Sequence, residues 1–211
     1  MSAIARTALA KSDPTMAALI ERVGRIDLAT RLRRRSEERP ADAYGALLRA
    51  IVGQQLSTKA ARTIYLRVLD IFGGVTPSPE QLLQAGEADL RGAGLSGRKV
   101  EYIQDLARHV LSGELELDRL GELSDEEAIA EMVAVRGLGQ WTAEMFLIFH
   151  LERPDVLSGG DLGIRKAVQI EYGLEQMPAP AQVLEIGEAW RPYRSLASLY
   201  LWESLAAVPG V

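Results

Sequence analysis

Hydrophobic residues recur every three or four positions along almost the whole chain, the spacing that places side chains on one face of an α-helix. The clearest stripes lie in residues 16–23, 44–52, 61–72, 100–111, 141–151, 162–172, 183–190 and 193–207. No segment alternates apolar and polar residues as a β-strand does. The pattern therefore predicts an all-α protein, and the sequence contains no internal repeat and no low-complexity segment.

Residues typical of helix ends divide this pattern into separate helices. Candidate N-caps, whose side-chain oxygens accept hydrogen bonds from first-turn amides, are Asp42, Ser96, Ser124 and Asp161. The helical pattern also restarts at Ser57, and Ser78-Pro79-Glu80 opens a short helix. Glu127 follows Ser124 at the spacing of a capping box. Gly24, the pair Gly73-Gly74 and Pro154 are expected to end helices.

A glycine-containing segment interrupts the helices at VRGLGQWTAE, residues 135–144. Each glycine inside a helix costs about 1 kcal/mol relative to alanine, so Gly137 and Gly139 predict a hairpin between two helices. Without Cβ atoms the backbone can approach a phosphate closely, and amides that open the next helix can bind the anion. The alternative is that both glycines only form the turn.

Composition limits the possible function classes. The 211 residues are 47% hydrophobic and 25% charged, which suits one large globular domain or two small domains that share a cleft. The chain has no cysteine, which excludes disulfides, thiolate zinc sites and iron–sulfur clusters, and two histidines offer little for a metal site. Neither a signal peptide nor an apolar run of about 18 residues is found. These features predict a cytoplasmic protein without a membrane partner.

Charge leaves the partner open. The net charge of −5, from 24 basic and 29 acidic residues, argues mildly against nucleic acid. The basic residues are nevertheless clustered at 31–35, 97–99 and 164–166. Such clusters can contact phosphates or can simply form solvated faces.

The hairpin and the aspartate that follows it carry a family resemblance. The segment RGLGQWTA (136–143), followed about twenty residues later by Asp161, resembles the helix-hairpin-helix superfamily of base-excision DNA glycosylases. In that family a hairpin of the type Pro-Gly-apolar-Gly precedes a catalytic aspartate. Here Arg136 replaces the usual proline, and Gly160 stands where close relatives often have a second aspartate. Neither departure removes a group that the chemistry requires.

Three further stretches resemble the 3-methyladenine DNA glycosylase II branch of this superfamily. They are RAIVGQQLSTKAA (49–61), GAGLSGRKVEYIQDLA (92–107) and WRPYRSLASLYLWES (190–204). The five blocks occur in order and span most of residues 42–204. The resemblance implies a compact form that lacks the N-terminal β-rich domain of larger bacterial members.

The resemblance also implies an architecture. It predicts two helical subdomains with a DNA-binding cleft between them, one formed by residues 1–42 and 153–211, the other by residues 43–152 with the hairpin. Asp161 and Trp141 would meet across that cleft.

Asp161 is the predicted catalytic residue, because a carboxylate beside the sugar stabilises an oxocarbenium-like transition state. It can also serve as the N-cap of the helix that follows, and the two roles can coexist. The resemblance places Trp141, Trp202, Met145 and Gln54 in the base pocket. A tryptophan at helical spacing can instead be a core residue, and Met145 stands where well-known relatives have another aromatic residue.

Trp141 also distinguishes between two mechanisms. In the relatives that cut the DNA strand, this position is a lysine whose amine forms a Schiff base, which an indole cannot do. Since the iron–sulfur branches need cysteines that this chain lacks, the resemblance implies a monofunctional glycosylase.

A flipped base leaves a gap in the duplex that family members fill with a side chain. By alignment Gln55 is the predicted wedge, with Leu56 as the apolar alternative. The segment that carries them can also be no more than a link between two helices.

The resemblance further assigns backbone groups of the hairpin. The amides of Gly137, Gly139 and Thr142 would face DNA phosphates. Arg98 and Lys99 are further candidates for phosphate contacts, although they can equally be solvated charges. The carbonyls predicted to hold a structural Na⁺ or K⁺ are those of Val133, Val135 and Leu138.

The sequence thus predicts a monomeric, cytoplasmic DNA glycosylase, associated with the nucleoid when on DNA, that needs no catalytic cofactor. It would flip alkylated bases of the 3-methyladenine and 7-methylguanine type out of double-stranded DNA and excise them. One alternative is a glycosylase for deaminated or oxidised bases. The other is a non-catalytic DNA-binding module, which would keep the hairpin but need not keep Asp161 or Trp202.

Overall fold

The computed structural model describes residues 3–26 and 42–206, and the basic run at 31–35 lies outside them. The regular structure in these ranges is helical, with no strand, which confirms the predicted all-α class. The α-helices described are α1 (Ala3–Ser12), α2 (Pro14–Val23), α3 (Ala43–Gly53), α4 (Thr58–Ile71), α5 (Pro79–Gln84), α6 (Glu87–Gly92), α7 (Gly97–Ser112), α8 (Asp125–Ala134), α9 (Gln140–Phe149), α10 (Leu162–Glu171), α11 (Pro180–Gly187) and α12 (Arg194–Ala206). Short 3₁₀ turns occupy Arg119–Gly121 and Glu188–Trp190. Within the described ranges, no helix is both long and apolar enough to span a bilayer.

The N-caps expected from the sequence are all formed. Asp42, Ser96, Ser124 and Asp161 each accept a hydrogen bond from an amide three residues later. Ser57 and Ser78, expected only to open helices, make the same bond. The capping box of Ser124 and Glu127 is present, and Ser78 forms a second one with Gln81. Local sequence therefore determines where most helices begin.

The end of α9 differs from the prediction. The helix stops at Phe149, two residues before the predicted end at Leu151 and well before Pro154. The amide of Arg153 turns back to the carbonyl of Leu147 at 2.9 Å, and Glu152 adopts a φ of 53°. A tight turn, and not the proline, ends this helix. The short helices α1 and α6 were not expected from the pattern.

The described residues fall into two compact units. The first comprises those within Met1–Arg34 and Leu147–Val211, and the second those within Arg35–Phe146. The predicted bounds placed the second change of unit at 152/153, after the end of α9.

The first unit is built around α12, on which both α2 and α10 pack. Trp190 and Tyr200 are fully buried in its core, together with Met16 and Leu19 from α2. The second unit is centred on α3 and α7. Helices α5 and α6 pack on α7, and α4 packs on α3.

Candidate functional site

Asp161 is held rigidly at the start of α10. Its Oδ1 accepts hydrogen bonds from the amide of Ile164 at 2.8 Å and from the indole Nε1 of Trp202 at 2.9 Å. The residue is 9% exposed. Two donors on one oxygen fix the orientation of the carboxylate, so the cap that the sequence predicted also positions the acidic group.

Trp202 lies against Asp161 because two neighbouring residues allow it. Its indole stacks on Phe149, with the ring centroids 5.7 Å apart and the planes inclined by 28°. A Cβ atom on Gly163 would lie 3.1 Å from Oδ1 of Asp161 and 3.2 Å from Cδ1 of Trp202. Gly163 thus lets the indole close on the carboxylate. Sequence reasoning missed Phe149 and Gly163, although a glycine in the first turn of a helix was a signal.

The other predicted pocket residues differ in exposure. Trp141 is 53% exposed, so the alternative that it is a core residue is wrong. Met145 and Trp202 are half-buried. Leu162, directly after Asp161, is 65% exposed, which leaves an apolar side chain next to the buried carboxylate. The sequence placed Leu162 only in the apolar stripe of residues 162–172, so its exposure beside Asp161 was not expected.

The segment between α3 and α4 contains a strained residue. Gln55 has a φ of 58°, in the left-handed region that costs a non-glycine residue roughly 1–2 kcal/mol. Its side chain is exposed, and that of Leu56 is 37% exposed. Such strain persists only where the surroundings impose it, and it is concentrated at functional sites. We define residues 53–57 as the wedge loop.

Lys99 and Gln54 bind the wedge loop to the rest of the second unit. The ammonium of Lys99 donates to the carbonyls of Val52 and Gln54, both at 2.7 Å. Burial lowers the pKa of Lys99. The side-chain amide of Gln54 donates to the carbonyl of Gly137 at 2.7 Å. Both side chains, expected to face phosphate and base, make contacts within the protein.

The two hairpin glycines lie in different surroundings. Gly137 has a φ of 90°, and a Cβ there would lie 2.3 Å from Cδ2 of Tyr102. At Gly139 a Cβ would meet no described atom within 4 Å. Glycine at position 137 is therefore required by the turn and by Tyr102, and the phosphate contact of its amide stays a prediction. Gly139 faces open space, where a ligand backbone can approach.

Arg136 ties the hairpin to α7 through its main chain. Its amide donates to Oδ2 of Asp105 at 2.9 Å, and its guanidinium lies 3.5 Å from Oε2 of Glu101. A proline, the usual residue here, has no N–H to donate. The departure from the family pattern thus supplies a contact of its own.

An open depression lies between the wedge loop, the start of α7 and the hairpin. Its lining is formed by Gln54, Gln55, Ser96, Arg98, Lys99, Tyr102, Gly137, Leu138 and Gly139. Arg98 is exposed at its rim, whereas Thr142 in the first turn of α9 is buried. The second unit therefore brings together the predicted wedge, the hairpin and the basic residues of α7.

The carbonyls predicted to hold a monovalent cation lie at the end of α8 and in the hairpin. Those in the last turn of a helix have no intrahelical donor and carry partial negative charge. Val133 lies in that turn, and the amide of Leu138 donates to the carbonyl of Val135 at 3.1 Å, which closes the hairpin. The cation site itself stays a prediction. Among the described residues, no cluster of acidic, histidine or cysteine side chains could bind a metal.

Comparisons with known proteins agree with these features. The model of the HhH-GPD superfamily base excision DNA repair protein family matches residues 48–192. The Bacillus subtilis protein YfjP is 35% identical over 168 residues, which are 77% of this chain and 58% of YfjP. The chain thus spans less than two thirds of that relative.

Two solved structures resemble the whole chain. A DNA-3-methyladenine glycosidase from Bacillus halodurans is 38% identical with a TM-score of 0.84, over 98% of this chain and 90% of that one. A Schizosaccharomyces pombe 3-methyladenine DNA glycosylase, Mag1, in complex with abasic DNA, is 31% identical with a TM-score of 0.80, over 97% of both chains.

Proposed function

The chain belongs to the HhH-GPD superfamily of base excision DNA repair proteins, and from this premise we propose that it is a monofunctional DNA glycosylase for alkylated bases. Its reaction is hydrolysis of the N-glycosidic bond. The bond between C1′ and the base nitrogen breaks with its electron pair on the base, and water forms the new C1′–O bond and loses a proton. The observation that carries this proposal is the fixed carboxylate of Asp161.

Asp161 supplies the negative charge that the reaction needs. Cleavage develops positive charge on the sugar, and a preorganised carboxylate stabilises it without reorganisation. The amide of Ile164 and the indole of Trp202 hold Asp161 in one orientation. We assign Asp161 as the residue that stabilises the oxocarbenium-like state and orients the water.

The proposed substrate needs little help in leaving. Alkylation at a ring nitrogen gives a purine a positive charge, so the departing base becomes neutral and no general acid is required. Such a base is attracted to indole faces. Trp141, which is 53% exposed, is one indole that we propose for it, and the face of Trp202 opposite Phe149 is another. Met145 is a further candidate. Because position 141 is an indole and not an amine, no Schiff base forms and the strand stays intact.

Double-stranded DNA with damaged bases is the proposed partner, bound by a monomer. The amides of Gly139 and Thr142, at the start of α9, suit a phosphate, and the exposed Arg98 suits another. Main-chain donors need no positive side chain, which explains how a protein of net charge −5 can hold DNA. Gln55, in the strained wedge loop, is proposed to fill the gap left by the flipped base.

We further propose that the carbonyls of Val133, Val135 and Leu138 bind Na⁺ or K⁺ as a structural cation. The cation would neutralise the end of α8 and stabilise the hairpin. Exchange of K⁺ for a bulky organic cation at constant ionic strength is then expected to weaken DNA affinity. An unchanged affinity would exclude the site.

The decisive experiment compares base release from methylated DNA by the wild-type protein and by Asp161→Asn. Asparagine caps a helix as well as aspartate does, so α10 should remain intact. Loss of the charge is expected to lower single-turnover release by roughly 10²- to 10³-fold. Asp42→Asn is the matched control, because Asp42 also caps a helix, with its Oδ1 2.6 Å from the amide of Gly45.

Equal release by wild type and Asp161→Asn would refute the catalytic assignment. Duplexes that contain deaminated or oxidised bases, assayed in parallel, test the wider substrate range that Met145 suggests. DNA binding without release from any of these duplexes would favour a non-catalytic module.

A further inference from the structure

Lys99 lies in an unusual place for a residue that was expected to contact DNA. Its ammonium is directed at the last turn of α3 and donates to the carbonyls of Val52 and Gln54, both at 2.7 Å. Carbonyls at a helix C-terminus carry partial negative charge and lack intrahelical donors. An ammonium from a neighbouring helix therefore acts as a C-terminal cap for α3.

The residue that follows this cap is the strained one. Gln54 makes two contacts with residues distant in the chain, since its carbonyl accepts from Lys99 and its side-chain amide donates to Gly137 at 2.7 Å. Gln55 then adopts a φ of 58° with an exposed side chain. A left-handed conformation in a non-glycine residue persists only when its surroundings impose it. Lys99 and Gly137 supply the two contacts that fix Gln54.

The same helix also supports the hairpin. Along one flank of α7, at intervals of three residues, Lys99 binds the wedge loop, Tyr102 packs beneath Gly137, and Asp105 accepts the amide of Arg136. Six residues of helix span about 9 Å, so these contacts lie along a single rigid element. Helix α7 joins the wedge loop to the hairpin.

We propose that Lys99 is a positioning residue that fixes the wedge loop, so that Gln55 is preorganised to enter the DNA duplex. This role rests on the proposed function and replaces the expected phosphate contact of Lys99. It separates Lys99 from its neighbour Arg98, which is exposed and retains the role of a phosphate contact.

The salt dependence of DNA binding shows whether Lys99 contacts a phosphate or only positions the wedge loop. The slope of log K against log[salt] is negative, and loss of one phosphate contact lowers its magnitude by about 0.9. Arg98→Met should show this loss, whereas Lys99→Met should keep the wild-type slope. A slope whose magnitude falls by about 0.9 in Lys99→Met would overturn the proposal.

Amide hydrogen exchange in the free protein tests whether Lys99 fixes the wedge loop, and it does not depend on catalysis. Lys99→Met should exchange at least tenfold faster in peptides that cover residues 53–57, while Arg98→Met should match wild type. Unchanged exchange in Lys99→Met would contradict the proposal. If Lys99→Met proves too unstable, Lys99→Gln, which keeps a neutral donor, takes its place.

A double-mutant cycle tests whether Lys99 acts through Gln55. The readout is single-turnover base release at saturating protein, with Lys99→Met, Gln55→Ala and both together. If Lys99 positions Gln55, Lys99→Met should slow release about tenfold in wild type and have little further effect in Gln55→Ala. Additive losses would overturn the proposal. A wild-type protein without release would refute the proposed function, while the exchange and salt measurements would still report on Lys99.

Discussion

At the scale of single residues, Asp161 shows how one side chain can serve both structure and chemistry. Helix caps are common for aspartate, and a cap alone would explain its place before α10. The indole of Trp202 gives the carboxylate a second donor, which a simple cap does not need. The proposed catalytic group is thus oriented by a helix start and by a residue 41 positions later in the chain.

Trp202→Phe should separate orientation from shape. Phenylalanine keeps an aromatic ring beside Phe149 but removes the N–H that binds Asp161. Because hydrogen bonds to charged groups contribute roughly 1.5–3 kcal/mol, we expect the rate of base release to fall by about 10- to 150-fold. Single-turnover rates and DNA affinity measured on the same protein check this, since affinity should change much less. A rate equal to that of wild type would show that the indole N–H does not matter.

At the scale of elements, the hairpin between α8 and α9 combines a packed glycine with an open one. Gly137 is confined by its positive φ and by the ring of Tyr102. A Cβ on Gly139 would meet no described atom within 4 Å. Of the two positions, only 139 has open space where a Cβ would lie. The two glycines of one motif should respond differently to the same substitution.

Alanine is expected to lower the stability of the fold at position 137 and the affinity for DNA at position 139. Gly137→Ala combines backbone strain with overpacking and should destabilise the fold by roughly 2–5 kcal/mol. Gly139→Ala should leave stability within about 0.5 kcal/mol but weaken DNA binding. Urea denaturation and DNA titration of both variants provide the measurements. Intact DNA affinity in a folded Gly139→Ala protein would argue against a phosphate at this point.

At the scale of the whole molecule, a buried acidic residue holds the first unit together. Asp13 caps α2, with Oδ1 2.8 Å from the amide of Thr15, and its Oδ2 accepts from the Tyr172 hydroxyl and, at 2.9 Å, from the Trp190 indole. Burial alone would raise the pKa of Asp13, but these hydrogen bonds outweigh it and lower the pKa. The carboxylate links α2 to segments more than 150 residues away.

The sign of the resulting pH dependence follows from this lowered pKa. The unfolded chain binds the proton more tightly, near the usual aspartate value of about 3.9. The stability that Asp13 contributes is thus present above about pH 4 and is lost as the pH falls through the lower, folded value. Urea midpoints between pH 3 and 7 should fall with acid in wild type.

The matched variants for this test are Asp13→Asn and Tyr172→Phe. Asp13→Asn should lose roughly 1.5–3 kcal/mol at pH 7 and approach wild type in acid. Asparagine has one acceptor oxygen, which cannot serve both the amides of α2 and the Tyr172 and Trp190 donors. Tyr172→Phe removes one donor and should lie between them. A constant difference in stability between wild type and Asp13→Asn across this pH range would contradict the assignment.

The predicted monomeric state and cytoplasmic location stay predictions.

Local features of the sequence determined much of this protein. Helical periodicity gave the all-α class, and single polar residues such as Ser124 and Asp161 marked helix starts, because caps depend on amides only three residues away. The hairpin glycines and Asp161 were also sufficient for the family resemblance, which the match over residues 48–192 confirms.

Only the tertiary structure decided which side chains support the site. Lys99 binds carbonyls that lie 45 and 47 positions away, Trp202 reaches Asp161 across 41 positions, and Tyr102 packs beneath Gly137. Periodicity and capping rules describe neighbours along one helix and contain no information about which helices pack together. The sequence by itself therefore determined the elements and the candidate residues. Packing between helices decided that Lys99 contacts the wedge loop and that Gly137, unlike Gly139, lies against a side chain of another helix.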